Sequence, residues 1–130
     1  MKAAELETLG RRAVACPRWR WMPGMRITQN FSPLGWRLHA LNRSEEWRAE
    51  DVRGTKLPTH PGEPWLYPDL SDPATLGCLL ALAREAHGDP SFVVRCVAGL
   101  WYEESNKRAL VARGSDTEVE ALVAALEAAP

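Results

Sequence analysis

Cysteine is scarce in this chain of 130 residues: Cys16, Cys78 and Cys96 are the only three. An odd count at such wide spacing argues against the disulfide framework of a small secreted domain, and a chain this long buries enough surface to fold without one. Long apolar runs are missing too. None reaches the roughly 18 residues that a membrane-spanning helix requires. The first residues carry Glu5 and Glu7 where a secretion signal would have an apolar core. Cytoplasmic residence with no membrane partner is therefore expected.

The usual signatures of chemistry are also missing. There is no Cys-x-x-Cys and no His-x-x-x-His among His39, His60 and His87, so neither metal nor cofactor is expected. Glycine-rich phosphate loops and the strained serine turn of hydrolases have no counterpart. Two acid pairs, Glu45-Glu46 and Glu103-Glu104, are sequence neighbours. In an extended strand neighbours point to opposite faces, so neither pair forms a facing dyad. Cys78 and Cys96 read as small core residues. A dispersed site built on His39 or a cysteine is the one catalytic arrangement left open.

Net charge is only −1, which gives no global pull towards nucleic acid or an anionic membrane. The distribution is uneven. Residues 1–26 hold six basic side chains against two acids, and residues 115–130 hold four acids with no base. The two ends are expected to neutralise one another across the fold; separate partners for each end are the alternative.

What the sequence does contain is periodicity. Leu6, Leu9 and Ala13 predict a helix over 3–16 that Pro17 ends, with Gly10 as a weak point. Residues 26–31 and 36–41 read as strands joined by Ser32–Gly35, and a third is admissible near 47–52. Five of the ten prolines fall in 57–73, which predicts a surface connection held down by Trp65, Leu66 and Tyr67. Asp72 and Pro73 open a helix that runs to His87 and stops at Gly88. Its run Leu76–Ala83 is apolar nearly all round, so the helix is expected to be buried, with Gly77 allowing close approach of a neighbour. Residues 92–97, 100–103 and 109–112 read as strands, with a bulge or bend at Gly99. Ser115 and Glu118 predict a capping box ahead of a helix whose stripe is Val119, Leu122, Val123 and Leu126. The expected fold is one α+β domain over 1–130, in the order α-β-β-α-β-β-α. Its antiparallel sheet has four to five strands with three helices mainly on one face.

The most unusual segment is Arg18-Trp19-Arg20-Trp21, in a chain with six tryptophans. Its period of two admits a structural role, with both indoles on the core and both guanidinium groups outward. It equally admits base stacking with phosphate contact, as in single-stranded nucleic-acid binders, or a protein contact, since Trp and Arg dominate interface hot spots. Arg18, Trp19, Arg20, Trp21, Trp65 and Tyr67 are thus the candidate partner contacts.

Three blocks, Arg11–Cys16 with Trp19–Met25, Pro68–Leu82 and Glu118–Leu126, resemble small phage- and prophage-encoded proteins of no assigned activity. The resemblance implies an accessory protein made in the bacterial cytoplasm. It supplies no activity, cofactor or catalytic residue to carry over. The expected function is non-enzymatic binding of a host or phage macromolecule, for example as an anti-CRISPR-like inhibitor of a host defence or an inhibitor of a transcription complex. Single-stranded nucleic-acid binding through 18–21 is the alternative, and a small enzyme with a dispersed site comes third.

Overall fold

A computed structural model describes residues 1–29, 35–40, 47–50, 56–59, 65–105 and 114–130. The elements run α1 (Ala3–Ala15), β1 (Arg26–Gln29), β2 (Trp36–Ala40), β3 (Trp47–Glu50), β4 (Lys56–Thr59), β5 (Leu66–Pro68), α2 (Pro73–His87), β6 (Val93–Val97), β7 (Leu100–Glu104) and α3 (Glu118–Glu127). This is the expected α+β class. The strands divide into an antiparallel sheet of order β4-β3-β2-β1-β5 and a separate β6-β7 hairpin, rather than one sheet. Most of the expected Ser32–Gly35 connection and the expected strand at 109–112 lie outside the described residues.

The proline-rich stretch is where sequence reasoning and structure part. It was expected to be a connection, yet it supplies both edges of the large sheet. Pro58 lies in β4 and Pro68 in β5, the two outermost strands. An edge strand needs ladder donors on one side only, so proline is tolerated there and excluded from the centre.

Period-two alternation sorts this sheet into two faces. Ile27 and Leu38 are fully buried on one, together with Leu66 from β5. They join Leu9 and Ala13 of α1, Leu79 and Leu82 of α2, and Leu122 and Leu126 of α3 in one core. The opposite face carries a cross-strand row of Glu50, Arg37 and Arg26. Arg26 and Arg37 stand directly opposite one another, an unfavourable pairing unless each charge is compensated.

Helix α1 lies along β5 because residue 10 is glycine. A Cβ there would sit 3.0 Å from the carbonyl oxygen of Pro68, tighter than ordinary packing. Helix α2 is capped at both ends as expected: Asp72 accepts from the Thr75 amide, and Gly88 is left-handed at φ 60°. Its burial is one-sided, however. Thr75, Leu79, Leu82, Ala83 and Ala86 face the core, whereas Gly77 is exposed with open space around it. Close approach at Gly77 is therefore corrected. The outward residues Ala74, Gly77 and Ala81 are small and leave little apolar surface in water.

Helix α3 starts two residues later than the expected capping box. Ser115 is already engaged in a bridge with Trp101, each amide donating to the other's carbonyl at 2.8 Å. Thr117 takes the cap instead: its hydroxyl accepts from the Glu120 amide, and the Glu120 carboxylate accepts from the Asp116 amide, both at 3.2 Å. Leu122, Val123 and Leu126 are buried as the stripe requires.

The β6-β7 hairpin turns through Ala98 and Gly99, both left-handed at φ 52° and 81°. Two positive φ angles in a two-residue connection make a primed turn, so of the bulge or bend expected at Gly99 it is the bend that forms. Alanine is strained in that region. Ala98→Asn is expected to raise stability by about 0.5–1 kcal/mol, seen as a higher urea midpoint at unchanged slope.

Candidate functional site

The Arg18–Trp21 stretch follows α1 and is stitched to the body at every residue. Trp19 and Trp21 are half-buried against the core, their rings 5.4 Å apart and nearly perpendicular, the edge-to-face geometry that aromatic quadrupoles favour. Between them the arginines point outward, as period two requires. Arg18 donates to the carbonyl oxygen of Pro130 at 2.8 Å, and Arg20 pairs with Glu85 on α2. Among the described residues, the indole N–H of Trp19 is the buried side-chain polar group without a hydrogen-bond partner.

The other two candidates lie on β5. Trp65, just before the strand, is 52% exposed. Tyr67 is half-buried beneath the guanidinium of Arg11, 5.2 Å from its ring centre, and Arg11 is itself paired with Glu7 at 2.9 Å. Burial pushes the Tyr67 phenol above its ordinary pKa. The six candidates thus form two groups on different elements, and Trp65 alone presents a largely uncovered aromatic surface.

The residues singled out for a dispersed catalytic site are placed on three separate elements. His39 lies on the outer sheet face, 3.3 Å from Glu50. Cys78 is half-buried on α2, its thiol pushed up in pKa by burial. Cys96 is exposed on β6. Its expected place in the core is corrected: a two-stranded hairpin has too few neighbours to cover both faces. His60 and the Glu45-Glu46 pair lie outside the described residues. Glu104 pairs with Arg95 across the hairpin, while Glu103 occupies the other face of β7. His87, at the end of α2, bonds the Ala125 carbonyl of α3 at 2.7 Å and stacks on Phe92. No three potential metal ligands converge among the described residues.

The strongest polar cluster joins the sheet to α2. Arg37 reaches Asp72 with two bonds, at 2.7 and 2.9 Å, and donates to the Gly24 carbonyl. Asp72 also accepts from both the amide and the hydroxyl of Thr75. The Arg37 bonds above all, then those of Thr75, hold the Asp72 carboxyl down at a pKa of about 2. Arg26 faces Asp69 at 3.7 Å. The two opposed arginines of the outer face are thereby each compensated, which marks the cluster as structural.

One feature had no forerunner in the sequence. Between α1 and the start of α3 lies an open cavity of about 470 Å³ lined by Met1, Ala4, Glu5, Thr8, Leu9, Arg12, Asp116, Thr117 and Glu120. The size suits a small organic ligand or a few peptide side chains. Arg12, on its border, makes a two-bond pair with Glu127 at 2.9 and 2.7 Å. This pair raises the arginine's pKa and lowers that of the glutamate. It is also where the basic and acidic ends of the chain meet, as their charge balance led us to expect. Nothing in the local sequence marks α1 and α3 as neighbours, so the cavity could not be read from it.

No protein-family model matches this chain, and neither the curated proteins nor the solved structures hold a significant match to it. Among the described residues no helix is long and apolar enough to cross a membrane.

Proposed function

We propose that this chain is a binding protein without a reaction of its own, made in the bacterial cytoplasm as a phage or prophage accessory. It acts by covering a surface on a host or phage macromolecule, such as a defence or transcription complex. The observation that carries the reading is Trp65. A tryptophan 52% exposed beside an edge strand is an interface anchor in waiting, since burying one indole against a partner removes a large apolar area from water. The phage-like blocks Trp19–Met25 and Pro68–Leu82 support the setting. Arg18 and Arg20 are engaged by Pro130 and Glu85, so the geometry favours Trp65 over the 18–21 stretch as the contact.

The experiment is affinity capture from lysates of phage-infected and uninfected bacteria with the wild type and Trp65→Ala in parallel. One specific protein retained by the wild type and weakened by tenfold or more in the variant is expected, equivalent to about 1.4 kcal/mol or more. A partner that binds both equally, or no specific partner at all, removes this reading.

A further inference from the structure

We propose that the α1–α3 cavity is a second binding site and that its occupant is a cationic, amphipathic peptide segment of another protein: a Lys or Arg side chain next to an aliphatic one. The site is independent of Trp65 and of the reading placed on it.

Shape gives the first part of the argument. The cavity of about 470 Å³ is open to solvent and has an apolar floor formed by Ala4, Leu9 and Met1, the last being one of the few large apolar side chains more than half exposed. A floor of this kind takes an aliphatic side chain and gains the hydrophobic term for the area it covers.

Charge gives the second part. Glu5, Asp116 and Glu120 line the cavity, and Arg12 is the lining guanidinium. Arg12 brings its own counterion, because Glu127 holds it with two bonds. The surroundings therefore comprise four carboxylates, of Glu5, Asp116, Glu120 and Glu127, against the Arg12 guanidinium and the Met1 ammonium. Glu5 accepts from the Lys2 amide at 2.7 Å and Glu120 from the Asp116 amide, both backbone groups, which fixes their positions. Glu120 also acts on Arg12 through space, but Arg12 is bonded to Glu127. Asp116 is exposed at the rim.

The two parts point to one occupant. An anion such as a nucleic-acid phosphate meets a net negative field here, and a wholly apolar ligand brings the three lining carboxylates no cation. A side chain with an aliphatic stem and a cationic head satisfies floor and rim together.

The test uses the full chain and a defined probe, the capped hexapeptide Leu-Lys-Ala-Leu-Arg-Ala, with the same peptide carrying Glu in place of Lys and Arg as the control. Amide resonances are followed by NMR during titration. The basic peptide is expected to shift Thr8, Leu9 and Thr117 saturably, and the acidic control to leave them in place. Asp116→Asn, which disturbs no hydrogen bond of the fold, is expected to weaken binding about fivefold. Ala4→Lys, on an exposed position of α1, is expected to abolish it by filling the floor with a like charge. The site is refuted if those resonances do not move at millimolar peptide, if both peptides shift them equally, or if neither substitution changes the affinity. Trp65→Ala is expected to bind the peptide as the wild type does, so a failure here and a failure of the Trp65 reading are told apart.

Discussion

Phe92→Ala is expected to lower stability by about 4 kcal/mol, near the upper part of the range for emptying a core site of this size. Phe92 is 1% exposed and is the largest fully buried side chain among the described residues. Its ring stacks on His87 at 5.1 Å, while its carbonyl accepts from Arg84 at 2.8 Å and its amide donates to the Asp89 carbonyl at 3.2 Å. The site lies where α2 ends and β6 begins, and His87 in turn holds α3 through the Ala125 carbonyl. Truncation removes the ring on which that imidazole rests, and the backbone bonds on both sides oppose collapse of the cavity. The melting temperature is expected to fall by roughly 15 °C. Phe92→Leu, which keeps most of the volume, is expected to cost about 1.5 kcal/mol. Urea unfolding checks both; an alanine variant within 1 kcal/mol of the wild type would show that this corner is not packed as described.

The second large effect belongs to Asp72. Asp72→Ala is expected to cost about 3 kcal/mol at neutral pH, combining the lost cap of α2 with the lost partner of a partly exposed arginine. Its carboxyl has an ordinary value of 3.8 and titrates near 2 in the folded chain. A depressed value means that the stabilisation is complete above about pH 4 and drains away as pH falls towards 2. The part linked to this proton amounts to about 2 kcal/mol. Wild type and variant should therefore converge in acid: urea midpoints far apart at pH 7 should approach one another at pH 2.5. A gap that stays constant over that window would mean that Arg37 and Asp72 do not interact as the geometry states. Asp72→Asn keeps an acceptor for Thr75 and loses the charge, and is expected to fall between the two.

Asp72 also illustrates what could be read from sequence alone. A cap followed by proline and a closing glycine are local signals, and the structure realises both in α2, whereas the apolar run between them, read as buried nearly all round, is buried on one side. The stripe of α3 and the alternation of Trp19 and Trp21 with Arg18 and Arg20 are equally local and equally realised. The misreadings share another origin. Pro58 and Pro68 looked incompatible with strands because a proline's cost depends on whether a neighbouring strand asks for its missing N–H, which is a fact of sheet order. Ser115 looked like a cap until Trp101, far away in sequence, claimed its backbone. Cys96 looked like core because its apolar surroundings do not reveal that the hairpin has only two strands. The cavity was the least legible of all. Its walls come from opposite ends of the chain, and the charge asymmetry of those ends was the sole trace of their meeting.

That separation has a consequence for anything seated between α1 and α3. Arg12 and Glu127 are 115 positions apart, so the entropy of bringing the two walls together is that of closing a long loop, and it is met by the whole core rather than by local contacts. A guest there is coupled to global folding. Its binding free energy adds to the resistance of the entire domain to unfolding by mass action, and partial opening at either end expels it. Occupancy and cellular lifetime thus become a single variable: the loaded protein is a poorer substrate for degradation than the empty one.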